Sequence, residues 1–169
     1  MRDMVIIRKA VEKDLEAITD IYNDAVLHTV ASFDIEPKGL EKQRVWFREH
    51  GPQFPILVAE INGQVAGWGS LSQWSDRCAY SATAEASLYI GEGERGKGTG
   101  KALLLELMNE GQKAGLHTVI ARIVEGNAAS IHLCESLGFT YIGAMKEVGR
   151  KFGKLLDVHL LQKIFTDSV

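Results

Sequence analysis

Residues 91–101 read GEGERGKGTGK, five glycines set among Arg95, Lys97 and Lys101, and they lead straight into an amphipathic run carrying Leu103, Leu104, Leu107 and Met108. Glycine lets the backbone take positive φ and approach a ligand with no Cβ in the way. The first amides of a helix have no intrahelical acceptor and the helix dipole adds positive charge there, so an anion is favoured at that spot. With basic side chains around it, the segment reads as a cradle for phosphate or pyrophosphate. Just upstream, Thr83, Glu85, Ser87 and Tyr89 alternate with Ala84, Ala86, Leu88 and Ile90, so a strand there puts one carboxylate in a polar row. A carboxylate at a pocket mouth can take a proton from an amine, directly or through water. The same spacing also suits the solvated face of an amphipathic strand.

Three phosphate-binding loops compete for the glycine segment. Gly91-x-Gly93-x-x-Gly96 spells the dinucleotide fingerprint, but Glu92 and Glu94 stand where the pyrophosphate should approach. No acidic residue ends a strand about 20 residues on, where the ribose contact is expected. Gly91-x-x-x-x-Gly96-Lys97 is nearly a Walker A loop, yet Gly98 takes the place of the Mg²⁺-binding hydroxyl. Arg95-Gly96-Lys97-Gly98-Thr99-Gly100 is the third option and fits best, with an ordinary glycine-rich turn as the plain alternative.

Around these residues the chain reads as one α/β domain over residues 1–169. With 46% hydrophobic and 24% charged residues it has the composition of an ordinary globular protein. A net charge of −3 gives no bulk field for nucleic acid, so the basic residues near Lys97 act locally. No apolar run approaches the roughly 20 residues that span a bilayer. Cys78 and Cys134 are too few and too far apart for a disulfide framework or a zinc site, so no metal is expected. Cytosolic residence is the expectation.

The periods predict strands at residues 4–8, 56–61, 64–71, 83–90, 118–124, 139–148 and 155–163. Helices are expected at 12–28, 40–50, from the glycine loop to a C-cap at Gly115, and at 127–138. The first helix carries a stripe of Leu15, Ile18, Ile21, Tyr22, Ala25 and Val26; the second is expected to turn Val45, Trp46 and Phe47 inward. Asn62-Gly63 is a strong hairpin signal. Phe33, an apolar residue in the loop 29–37, either caps the core or lines a pocket. The resulting β-α-α-β-β-β-α-β-α-β-β order implies a mixed sheet.

Arg95–Gly100 resembles the (Arg/Gln)-x-x-Gly-x-(Gly/Ala) loop with which GNAT acetyltransferases hold the pyrophosphate of acetyl-CoA. Asn127-x-x-Ser130-x-x-Leu133-Cys134-Glu135-x-x-Gly138-Phe139 is similar to a second segment of that superfamily. Within it, the chain is similar to phosphinothricin and methionine-sulfoximine N-acetyltransferases. The residues that carry this are Ile21-Tyr22-Asn23, Trp74-x-x-Arg77-x-Ala79-Tyr80-x-x-Thr83-x-Glu85, Lys151-Phe152-Gly153 and Asp157-Val158. The resemblance implies a GNAT-type single domain whose mixed, mostly antiparallel central sheet is flanked by helices. It implies acetyl transfer from acetyl-CoA, as co-substrate, to the amino group of a small amino-acid analogue.

By the same resemblance, Leu88, Tyr89 and Ile90 pair with the pantetheine arm like an added strand. A freed amide there would stabilise the oxyanion formed as the amine attacks. Arg95, Gly96, Lys97, Gly98, Thr99 and Gly100 hold the pyrophosphate, and Asn127 either binds the cofactor arm or simply caps its helix. Glu85 is the expected general base. Arg77, Tyr80, Phe33, Glu85, Ala86 and Ser87 are expected around the acceptor, Arg for its forked hydrogen bonds to carboxylate or phosphinate. Cys134 departs from the family, which places Tyr or His there to protonate the leaving thiolate; a buried structural thiol fits it better and the acid is unassigned. His132, two residues away, lies on another helix face. The expected partners are a small-molecule amine and, by resemblance alone, a second copy in a homodimer. Acetylation of another amine, or non-catalytic acyl-CoA binding, remain the rival readings.

Overall fold

The computed structural model describes residues 3–166. In chain order the elements are β1 (Val5–Lys9), α1 (Leu15–His28), α2 (Leu40–Glu49), β2 (Ile56–Ile61), β3 (Gln64–Gln73), β4 (Thr83–Ile90), α3 (Thr99–Lys113), β5 (Thr118–Val124), α4 (Ala128–Ser136), β6 (Thr140–Lys151) and β7 (Lys154–Ile164). The strands make one seven-stranded sheet in the order β1-β2-β3-β4-β5-β7-β6. Every neighbouring pair is antiparallel except β4 and β5. Asn62 and Gly63 both take positive φ, 51° and 79°, as a tight turn matched to the strand twist requires.

The alternation of each strand divides the core between two faces. Leu103, Leu104 and Leu107 of α3 pack with Leu57, Leu71, Val119 and Leu161 on one face. On the other, Leu15, Ile18, Tyr22 and Val26 of α1 pack on Ile56, Val58 and Trp68. Each such fully buried aliphatic side chain stabilises the fold by about 1.5–3 kcal/mol.

Three expectations are corrected. Residues 12–14 form a single 3₁₀ turn, and the α-helix begins only at Leu15, because the Asp14 carboxylate accepts the Val11 amide at 2.8 Å and closes a turn ahead of it. Val45 is 55% exposed, whereas Gln43 is buried and Trp46 and Phe47 pack on the α1 side. Three successive residues span about 200° of a helix and cannot share one face. Finally, β6 and β7 run closer together than their periods suggest, joined only by Phe152-Gly153, both at positive φ. The apolar pattern of β6 is broken by a bulge at Glu147, φ 50°, after which pairing resumes at Gly149.

Candidate active site

β4 pairs with β5 over only Thr83, Ala84 and Glu85. Beyond that point β5 continues along β7 as far as Val124, and β4 continues along β3 as far as Ile90, so the two strands part. Gly91 donates to the Ala66 carbonyl at 2.8 Å, which fixes the phase of the β3–β4 ladder. The amides of Ala86, Leu88 and Ile90 therefore face the opening, with no strand opposite them among the described residues. A cavity of about 330 Å³ fills this opening on the α3 and α4 side, lined by Glu85, Ala86, Ser87, Leu88, Tyr89 and, across from them, Arg122, Asn127 and Cys134. A second cavity of about 390 Å³ lies on the α1 and α2 side, against Tyr22, Asp34, Trp46, Trp68 and Ser70. Phe33, Glu85, Ser87, Tyr89 and Arg122 line both.

Glu85 is the last β4 residue in the parallel ladder, and its carboxylate is held by Arg122 of β5. Arg122 Nη2 donates to Glu85 Oε1 at 2.8 Å, and Nε donates to the other oxygen. The bond to Glu85 raises the Arg122 pKa further, outweighing partial burial. The guanidinium also stands 5.5 Å from the centre of the Trp74 ring, within range of a cation–π attraction.

At the far end of β4 the chain makes a single 3₁₀ turn at residues 92–94 and then enters α3 through Gly96 and Gly98, at φ 75° and 86°. Only glycine takes that left-handed geometry without strain. Arg95 and Lys97 are exposed; Arg95 Nε donates to the Ile90 carbonyl at 3.2 Å, and Lys97 lies 3.3 Å from Glu94. Thr99, the first residue of α3, is buried with no partner for its hydroxyl among the described residues. These free helix amides, the flanking cations, the orphaned hydroxyl and the unpaired β4 edge fit an anion with an extended amide-bearing arm.

The loop 29–37 roofs the second cavity. Buried Lys151 Nζ donates to the Ser32 carbonyl at 2.6 Å, tying the loop to the end of β6, and burial pushes the Lys151 pKa down. The Phe33 ring abuts Gly149, with no room for a Cβ there. Tyr22 donates to Asp34 and sits 3.0 Å from Ser32 Oγ. Burial works against the Asp34 charge, but the Tyr22 bond and Lys38 at 3.3 Å hold its carboxyl below the ordinary 3.8. Along the wall Tyr22 meets Tyr89 and Trp46 meets Trp68 edge to face, while Trp68 lies tilted against Tyr22 and Tyr89. Burial pushes the Tyr89 hydroxyl up to about 12.

The structure thus brings Phe33, Glu85, Ala86, Ser87, Leu88, Tyr89 and Asn127 to one opening. It leaves Arg77 and Tyr80 exposed on the turn at Cys78–Tyr80, lining neither cavity. Asn127 caps α4, accepting the Ser130 amide at 3.3 Å, and lines the first cavity as well. Cys134 also lines it, and burial pushes its thiol up to about 11, so it stays protonated at neutral pH. Sequence reasoning passed over Arg122 and Asp34, and took Trp74 only as part of the family resemblance. The available signal for Arg122 was a lone charge in the otherwise apolar strand Thr118–Val124.

Residues 15–139 match the acetyltransferase (GNAT) family. Over 157 residues the chain is 40% identical to an L-methionine sulfoximine/L-methionine sulfone acetyltransferase of Salmonella typhimurium, covering 92% of each chain. It is 35% identical over 158 residues to a phosphinothricin N-acetyltransferase of Streptomyces coelicolor, covering 91% of this chain and 92% of that one. An acetyltransferase from Salmonella typhimurium, solved with its cofactor acetyl-CoA, superposes with a TM-score of 0.92 at 39% identity, over 95% of this chain and 93% of the other. With its parted parallel strands, its glycine loop at the head of α3 and these relatives, the chain belongs to the acetyltransferase (GNAT) family.

Proposed function

We propose that this enzyme acetylates the α-amino group of a small amino-acid analogue, with methionine sulfoximine, methionine sulfone and phosphinothricin as the first acceptors. The observation that carries this is the place of Glu85, where the two cavities meet through the gap between β4 and β5. Acetyl-CoA supplies an acetyl group activated as a thioester. On the α3 side, Leu88, Tyr89, Ile90 and Asn127 would hold its arm. The backbone of Arg95, Gly96, Lys97, Gly98, Thr99 and Gly100 would hold its pyrophosphate, with the Arg95 and Lys97 cations beside it. On the α1 side, Phe33 and Ser87 would wall the acceptor, with Ala86 at the opening on the other face of β4, and Glu85 would take the proton that the ammonium must lose to become a nucleophile. Arg77 and Tyr80 lie outside this seat.

Thiol release from acetyl-CoA, measured with these acceptors and a panel of other amines, tests the reading. Glu85→Gln should lower kcat by about 100-fold or more, with acetyl-CoA affinity little changed. Unchanged turnover would remove Glu85 from the chemistry, and acetyl-CoA binding with no turnover on any acceptor would favour a binding protein. Acetylation of such analogues would confer resistance to them, with the cytoplasm, where acetyl-CoA is made, as the proposed location. The edge strand β6 leaves Tyr141 and Ile142 exposed, which supports a homodimer; sedimentation at a monomeric mass in analytical ultracentrifugation would count against it.

A further inference from the structure

Arg122 holds Glu85 in a forked pair at the point where the strands part. One lone pair on each oxygen is thereby engaged, on the carboxylate proposed to collect the amine proton. Among the described residues that line both cavities, Arg122 is the sole cation. Lys38 lines the second cavity but sits 3.3 Å from Asp34, and Lys151 is buried on the Ser32 carbonyl. The Arg122 side chain is half exposed, while that of Glu85 is 19% exposed, so an incoming anion reaches the guanidinium more readily than an incoming cation reaches the carboxylate. Trp74 supports the guanidinium from a residue outside the pair, so the cation can stay in place when its partner changes.

An α-amino acid carries its own carboxylate one carbon away from its amine. We propose that Arg122 docks the α-carboxylate of the acceptor, which displaces Glu85 from the guanidinium and frees it for the amine. This rests on the reading of Glu85 as base. No covalent bond changes in the exchange itself: the guanidinium keeps its protons and one carboxylate replaces another on the same fork. The ammonium proton then passes to the freed Glu85, an N–H bond breaking as an O–H bond forms. Selectivity for α-amino acids over plain amines then follows from the chain itself, because an amine without a carboxylate leaves Glu85 locked in its pair.

The test compares L-methionine sulfone with 3-(methylsulfonyl)propylamine, which has the same side chain and amine but no carboxylate, on wild type, Arg122→Gln and Arg122→Lys. A forked, charge-assisted pair corresponds to about 100-fold in kcat/KM, so the wild type should prefer the amino acid by about that factor. In Arg122→Gln the preference should collapse to within about threefold, the loss falling on the amino acid, while the amine, with Glu85 no longer locked, holds its rate or gains. Arg122→Lys, which keeps the charge without the fork, should fall between. Thermal unfolding and acetyl-CoA binding of each variant show that the protein remains folded and loaded. A preference that survives Arg122→Gln, or equal losses on both acceptors, overturns the role of Arg122. No wild-type turnover on either acceptor overturns the acceptor reading itself.

Discussion

Gly149→Ala separates the roof of the acceptor cavity from the stability of the fold. A Cβ built there would lie 2.2 and 2.5 Å from Cε2 and Cζ of Phe33, against an ordinary carbon–carbon contact of about 3.5 Å. Something must give by about 1.3 Å. β6 is held by its ladder with β7, in which Gly149 pairs with Leu156, and by the Lys151 anchor to Ser32. Phe33 is 40% exposed on a loop, so the ring is what moves. Overpacking costs about 1 kcal/mol at the low end of its range, and the entropy of the unfolded chain returns about 0.4–1 kcal/mol on replacing glycine. Net destabilisation is thus about 0.6 kcal/mol at most, or a Tm fall of about 1–2 °C for a chain of this size. Displacing a pocket wall by more than 1 Å can cost up to about 100-fold in rate. We expect the acceptor KM to rise about tenfold, in steady-state assays with methionine sulfone, while Tm barely changes. Phe33→Leu should do much the same, and the double variant should add little to either, because both act through one ring. An unchanged acceptor KM, additive effects, or a Tm loss above about 10 °C would each show that β6 rather than Phe33 yields, and the reasoning would fail.

Gly98→Ala places a Cβ at φ 86° at the entrance of α3, which costs about 1–2 kcal/mol. It should weaken acetyl-CoA binding in calorimetry while leaving the acceptor KM alone. Asn127→Ala removes the cap on Ser130 and about 1 kcal/mol of stability. A matching rise in acetyl-CoA KM would show that the residue also serves the cofactor, and a Tm fall alone would make it a cap only. Asp14 accepts from Arg8 at 2.7 and 2.9 Å and from the Val11 amide, and the Arg8 bond leads in holding its carboxyl below the ordinary 3.8. The unfolded chain therefore takes up this proton first as pH falls. The contribution is full above that value and is lost on further acidification through the folded pKa. Asp14→Asn should cost about 3 kcal/mol at pH 7 and flatten the acid limb of stability in urea titrations from pH 7 to pH 3.

What was legible in the chain is what short-range physics decides. The alternation along β4 separates Glu85, Ser87 and Tyr89 from Ala84, Ala86 and Leu88 because side chains alternate in any strand, and in the structure Ala86, Leu88 and Ile90 indeed pack on the α3 side while Tyr89 joins the α1 side. Asn62-Gly63 fixes its hairpin in two residues. Arg122 was not legible, since its meaning comes from a partner 37 residues away, across a ladder of three residue pairs. The same holds for Phe33. Its choice between core and pocket is made by Gly149 and Lys151 at the other end of the chain. Arg77 and Tyr80 fit the spacing of the family, yet the turn that carries them lies on the surface, and no local pattern reports where a loop will rest.

The opening at the centre of the sheet follows from how each strand is held on its outer side. β5 is committed to β7 over all seven of its residues, Thr118 through Val124. β4 is likewise committed to β3 from Ala84 to Ile90. Those ladders use the outer edges of β4 and β5, and past Glu85 the two strands follow them apart, which leaves the inner edge of β4 facing the opening. Its unpaired amides would be a cost in a sealed core, but here they face a cavity in which water or an amide-bearing arm can satisfy them. Among the described residues, the one side-chain bridge across the gap is Arg122 on Glu85, and it sits on the hinge line where the ladder ends. A site built this way keeps its cofactor edge rigid and leaves its exchangeable contact, a single ion pair, at the place where an acceptor enters.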